Sequence, residues 1–155
     1  MVSNSSETVN KTSVFDVADC FLCLESMNPL KLQKLCYYAY AWWLANYDEK
    51  LFEEEFQAWV HGPVCYELYD KYRCYGVNGF GNIPNNEECS IDEDLLEYIK
   101  DVFRVYGKYS GNQLERLTHS EQPWIQARGS LKQWESSQNI ISDKSIIEYY
   151  RSQIK

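Results

Sequence analysis

One segment constrains this chain more than any other. Asn28 followed by Pro29 is a helix start: a side chain that accepts a backbone N–H, then a proline where no N–H is needed. The helix it opens carries Leu32, Leu35, Cys36, Ala39, Trp42 and Trp43, which place bulk on more than one side. Such a helix has little surface to offer water and is expected to be central and nearly buried. The remaining elements must then wrap around it.

The rest of the sequence supplies those wrappings. Ser13 is positioned to cap a helix whose apolar face is Val14, Val17, Ala18, Phe21 and Leu22. Residues 55–60 alternate Phe56, Ala58 and Val60 with polar neighbours, the best strand candidate. His61-Gly62-Pro63 ends that strand, and Pro63 suits the first position of a helix running to about Tyr75, with Gly76 as its C-cap. Three glycines and four asparagines make 76–89 a long loop. Ser90 with Glu93, and Ser110 with Gln113, read as capping boxes. The first opens a helix through Leu95, Ile99, Val102 and Tyr106 to Gly107, and the second a short helix through Leu114 and Leu117. Gln122-Pro123-Trp124 starts a further turn ending near Gly129, and Ser142 caps a last helix with Ile146, Ile147 and Tyr150 inward. Ile140 and Ile141 are placed to pair with the 55–60 strand. The expectation is a mainly α, single compact multi-helix domain over 13–155, with at most a small two- or three-stranded sheet and a disordered tail over 1–12.

Composition narrows the function. The 155 residues carry a formal charge of −8, so most of the surface repels phosphate backbones and anionic headgroups. Direct nucleic-acid binding is not expected, and a basic protein partner suits the field better. No apolar run approaches the roughly 20 residues that cross a bilayer, and the polar opening residues lack a signal-peptide core, so a cytoplasmic protein without membrane contact is expected. Six cysteines sit largely within apolar helical patterns and are expected to be reduced. Cys20-x-x-Cys23 is half of a zinc motif with no second half, and no cofactor or metal is expected.

Two histidines offer the only acid–base chemistry near neutral pH. His61 stands four residues from Cys65, a spacing compatible with a Cys–His nucleophile pair. The simpler reading is a turn whose imidazole bonds loop carbonyls. His119, near Glu121, reads as the end of a helix, a cation or donor beside exposed carbonyls, with Trp124 plugging the core. The tyrosines point elsewhere. Tyr66, Tyr69, Tyr72 and Tyr75 recur every three residues, and at about 100° per residue they drift around a helix. Some of them should be exposed, as tyrosines at protein interfaces are.

An ordered set of motifs then becomes apparent: Leu32-Gln33-Lys34-Leu35 with Tyr37 and Tyr38, Leu51-Phe52, Ala58-Trp59-Val60-His61-Gly62-Pro63-Val64, Glu67-Leu68-Tyr69, Tyr75-Gly76, Leu117-Thr118-His119, Glu121-Gln122-Pro123-Trp124, Ile141-Ser142 and Tyr149-Tyr150. Over residues 15–151 the chain resembles the Panacea antitoxin-domain family. Cys65 stands where that family usually carries a small or aliphatic residue. The resemblance implies an antitoxin, not an enzyme, that neutralises a toxin by direct contact, with a proteolytic-adaptor role through an ATP-dependent protease in one branch. It assigns structural roles to Leu32, Lys34, Leu35, Trp59, His61, Gly62, Pro63, His119, Pro123 and Trp124. Partner contact is expected from Tyr66, Glu67, Tyr69, Asp70 and Tyr72. The alternative is a small hydrolase or metal-dependent enzyme using His61, His119 and the cysteines.

Overall fold

In the computed structural model, which describes residues 12–75 and 81–154, the chain order is α1 (Val14–Leu24), α2 (Pro29–Tyr47), β1 (Gln57–Trp59), β2 (Gly62–Val64), α3 (Tyr66–Tyr72), a 3-10 turn (Arg73–Tyr75), α4 (Glu93–Tyr106), α5 (Gly111–His119), α6 (Gln122–Arg128) and α7 (Asp143–Ser152). The fold is mainly α with a single two-stranded sheet among the described residues. No helix in them is long and apolar enough to cross a membrane. The tail assigned to 1–12 lies, but for Thr12, outside the described residues, as does Gly76.

Helix α2 is the axis. Every residue from Leu32 to Ala41 is buried, Gln33 and Lys34 included. α1, α3, α4, α5, α7 and β2 all pack against it. It starts as the sequence dictates: Asn28 Oδ1 accepts the Lys31 N–H at 2.9 Å, and Pro29 follows. It stops at Asp48, whose φ of 60° breaks the helical path. Local capping fixes the other starts too. Ser13 with Asp16 and Ser110 with Gln113 form reciprocal boxes, and Ser142 Oγ accepts from Ser145.

Three expectations change. Pro63 does not open a helix. It lies in β2, which pairs antiparallel with β1 (Trp59↔Gly62, Ala58↔Pro63) through a two-residue turn at Val60 and His61. Gly62, at φ +105°, supplies the conformation the turn needs, and α3 begins only after Cys65. Helix α4 starts at Glu93, not at Ser90, because Asp92 Oδ1 captures the Leu95 N–H at 2.8 Å. The cysteines are not all thiols. Cys20 is bonded to Cys89, their Cα atoms 5.1 Å apart. The loop before α4 folds back onto α1, with the Ile83 N–H on Met27 O and the Asn86 N–H on Leu22 O, and this return, which no local pattern encodes, brings Cys89 to Cys20. Cys23, Cys36, Cys65 and Cys74 remain free.

The strand partner at 139–141 is as expected. Gln57 bridges Ile140, the Ala58 N–H reaches Asn139 O, and the Ile141 N–H reaches Phe56 O. β1 is thereby held between β2 on one side and the approach to α7 on the other.

Candidate functional site

Under the hairpin lies a cluster of ionisable groups. Lys34 is fully buried, its Nζ donating to Pro63 O at 3.2 Å. Burial pushes its ammonium down to about 7, against the opposing pull of Glu115. Gly62 is needed here for a second reason: a Cβ would stand 2.6 Å from Lys34 Cε and 2.9 Å from Thr118 Oγ1. The turn can close on the lysine only because it has no side chain. Above it, His61 is exposed and pairs through Nδ1 with Glu115 Oε2 at 3.0 Å. The imidazole thus bonds a carboxylate of α5, not the loop carbonyls expected. His119 ends α5 as expected, but its ring stacks on Trp124 at 4.0 Å, and burial lowers its proton affinity. Burial thus works against the cation expected at this helix end, while a backbone hydrogen bond at Val60 fits the donor role.

This arrangement brings His61, Glu115, Lys34 and His119 together, and the nearest thiol, that of Cys65, is not activated. Cys65 is buried, its Sγ facing Glu67 Oε1 at 3.4 Å, and burial pushes the thiol up to about 12, the opposite of activation. Thr118 Oγ1 donates to Glu115 O and is a helix side chain satisfied locally. The described residues hold no group of three or more His, Cys, Asp or Glu arranged for a metal ion. What the cluster does is lock the hairpin onto α2 and α5.

The surface beside it is different in kind. In α3, Leu68 and Tyr72 face inward, which settles how the tyrosine stripe divides: Tyr72 is buried, while Tyr66, Tyr69 and Tyr75 are 49%, 38% and 38% exposed. Tyr66 and Tyr69 ring centres lie 6.1 Å apart, and Tyr69 meets the half-buried Trp59 edge-on at 5.0 Å. A line of aromatic rings therefore runs from α3 onto the hairpin, flanked by exposed Glu67 and Asp70. Trp124, by contrast, is buried and donates Nε1 to Trp59 O at 2.8 Å, fixing β1 from below.

Residues 32–125, which contain most of α2, the hairpin, α3 and the cluster beneath it, match the family described as Antitoxin SocA-like, Panacea domain. The chain belongs to this family. Within the Panacea span lie all ten motif residues assigned structural roles from sequence. Antitoxin SocA of Caulobacter vibrioides (strain NA1000 / CB15N) is 32% identical over 112 residues, 63% of this chain and 58% of that protein. The match therefore spans little more than half of that relative. No solved structure matches the chain.

Sequence reasoning missed the burial of two charged residues that shape this region. Glu121 is buried and accepts the hydroxyls of Tyr38 and Tyr150 at 2.8 and 2.7 Å. Arg128 is buried at the end of α6, donating to Ala58 O at 2.9 Å and ending on the carbonyls of 132, 133 and 135. Both carry side chains that usually signal a surface, and only their distant partners say otherwise.

Proposed function

We propose that this protein is an antitoxin that neutralises a cognate protein toxin in the cytoplasm by stoichiometric contact, without catalysis. The observation that carries the reading is the line of half-exposed rings Tyr66, Tyr69 and Trp59, set between the carboxylates of Glu67 and Asp70 on two elements locked by buried side chains. Rigid aromatic surface supplies affinity with little ordering entropy, and the carboxylates orient a basic patch of the toxin during encounter. Tyr72 contributes from beneath, by seating α3. Membership of an antitoxin family supports the same reading.

The test is titration of the purified protein against the product of its adjacent reading frame. Saturation at a fixed molar ratio is expected. Charge reversal at Glu67 and Asp70 slows association and reduces its salt sensitivity. Following toxin levels during co-expression, in hosts with and without ATP-dependent proteases, separates simple blocking from an added adaptor role. Neutralisation by substoichiometric protein, dependent on His61 or His119 and not on a protease, would replace binding with catalysis.

A further inference from the structure

The segment between α6 and α7 buries little, yet it is held in one shape. The Arg128 guanidinium, buried without a carboxylate partner among the described residues, donates to Lys132 O at 2.8 Å, to Gln133 O at 3.4 Å and to Glu135 O, while Nη1 binds Ala58 O of β1. It also stacks on Trp124, 4.9 Å from the ring centre. Glu135 Oε1 accepts the Lys132 N–H at 2.7 Å, and Asn139 Nδ2 donates to Ala127 O at 2.9 Å. Burying a guanidinium is costly unless its donors are satisfied, and here carbonyls of an otherwise irregular segment satisfy them.

At the crest of this segment stands Trp134, 73% exposed, the most exposed large apolar side chain of the described residues. The carbonyls of its two neighbours, Gln133 and Glu135, are both drawn inward to Arg128. Lys132 Nζ hovers 5.5 Å from the indole centre. Glu135 Oε1 is engaged by the Lys132 N–H, and no carboxylate pairs with the Lys132 ammonium among the described residues, so an indole and an unpaired ammonium stand side by side on this segment. A pre-formed tryptophan loses little freedom on binding and is the residue type most enriched among binding hot spots.

We infer that Trp134 is a second anchor for the toxin, inserting into an apolar pocket rimmed by carboxylates that receive Lys132. The inference rests on the antitoxin reading above and adds a site outside the family-matched span of 32–125. Both surfaces are tied to β1: Trp59 meets Tyr69, and Ala58 O meets Arg128. One toxin could therefore engage both.

The experiment measures affinity of the full chain and of W134A for the adjacent gene product, with thermal melts and light scattering of each variant alone. W134A should melt as wild type does, because the side chain is exposed, and raise Kd by roughly thirtyfold. W134F should lie between, and K132E should weaken binding further than K132A. The amides of Leu131, Glu135 and Ile141, bonded to backbone carbonyls, should exchange slowly in the free protein. If wild type binds and W134A binds equally well, this inference falls and the antitoxin reading stands. If wild type does not bind, both fall. A dimer of the protein alone that W134A converts to monomer would assign the anchor to a second copy of this chain and overturn the inference.

Discussion

The tyrosines divide into two groups that share a side chain and little else. Around α2, Tyr37, Tyr38 and Tyr150 are buried, and their hydroxyls are accounted for: Tyr150 donates to Glu121 within reach of Tyr37, and Tyr38 donates to the same carboxylate. Tyr40 finds Asp143 at 2.7 Å and Tyr98 finds Ala39 O at 2.6 Å. On α3, Tyr66 and Tyr69 are exposed, and their hydroxyls meet no protein partner among the described residues. The first group closes a core. The second makes its aromatic contacts with its own rings and Trp59. The difference teaches that aromatic content by itself says nothing about function; of the two groups, the second is the one left accessible to a partner.

The strongest way to break this contrast is to remove the acceptor at its centre. Glu121→Ala strands two buried hydroxyls and opens a cavity, and should destabilise the protein by about 3 kcal/mol or more. Urea denaturation measures it. A loss below about 1 kcal/mol would mean that the buried tyrosines find other partners and that the division is less sharp than drawn. Gly62→Ala comes next. The positive φ and the 2.6 Å approach to Lys34 Cε together should lower stability by about 1–3 kcal/mol.

A smaller, pH-dependent effect comes from Lys34. Burial holds its ammonium near 7, below the ordinary 10.5, so the unfolded chain binds a proton that the folded chain has released. Stability should therefore rise as pH increases from 7 to 9. Above that range the buried thiols of Cys36 and Cys65, whose proton affinity burial raises, oppose the trend. Lys34→Met should flatten the 7–9 slope, and an unchanged slope in that variant would refute the assignment. The smallest stability change belongs to the exposed pair. Tyr66→Ala with Tyr69→Ala should alter the unfolding free energy by about 1 kcal/mol or less each. The same variants should give the faster toxin dissociation, which sharpens the contrast from the other side.

Local signals in the sequence mark most of the helix starts, the Ser90 box giving way to a cap at Asp92. The caps at Ser13, Asn28, Ser110 and Ser142 act over three residues, and all four form as the sequence implies. So does the burial of the helix that opens at Pro29. What escaped reading depended on pairing between segments, close in the chain at Pro63 and distant at Cys89. Pro63 joins a strand because β1 is there to pair with it, and Cys89 meets Cys20 across 69 residues. Lys34 was legible as a motif residue but not as a buried one. The exposure of part of the Tyr66–Tyr75 stripe followed from helical geometry alone, though its register, with Tyr72 inward, did not. Arg128 and Trp134 lie in a polar stretch where only three-dimensional hydrogen bonding distinguishes a held loop from a loose one.

The pairing of α2 with α7 has a consequence for how the molecule is made. Tyr37 and Tyr150 are 113 residues apart, and their contact closes the interior. During synthesis α2 emerges early and must wait for 143–152 before its aromatic side is covered. Contacts that distant in sequence slow folding and leave apolar surface open in the interval. The nascent chain should therefore be a ready client for chaperones or proteases until its last helix is complete, and translation that stalls before Ser142 should yield material that is cleared or aggregates. The supply of working protein would then depend on completed translation, a vulnerability set by topology and not by any surface residue.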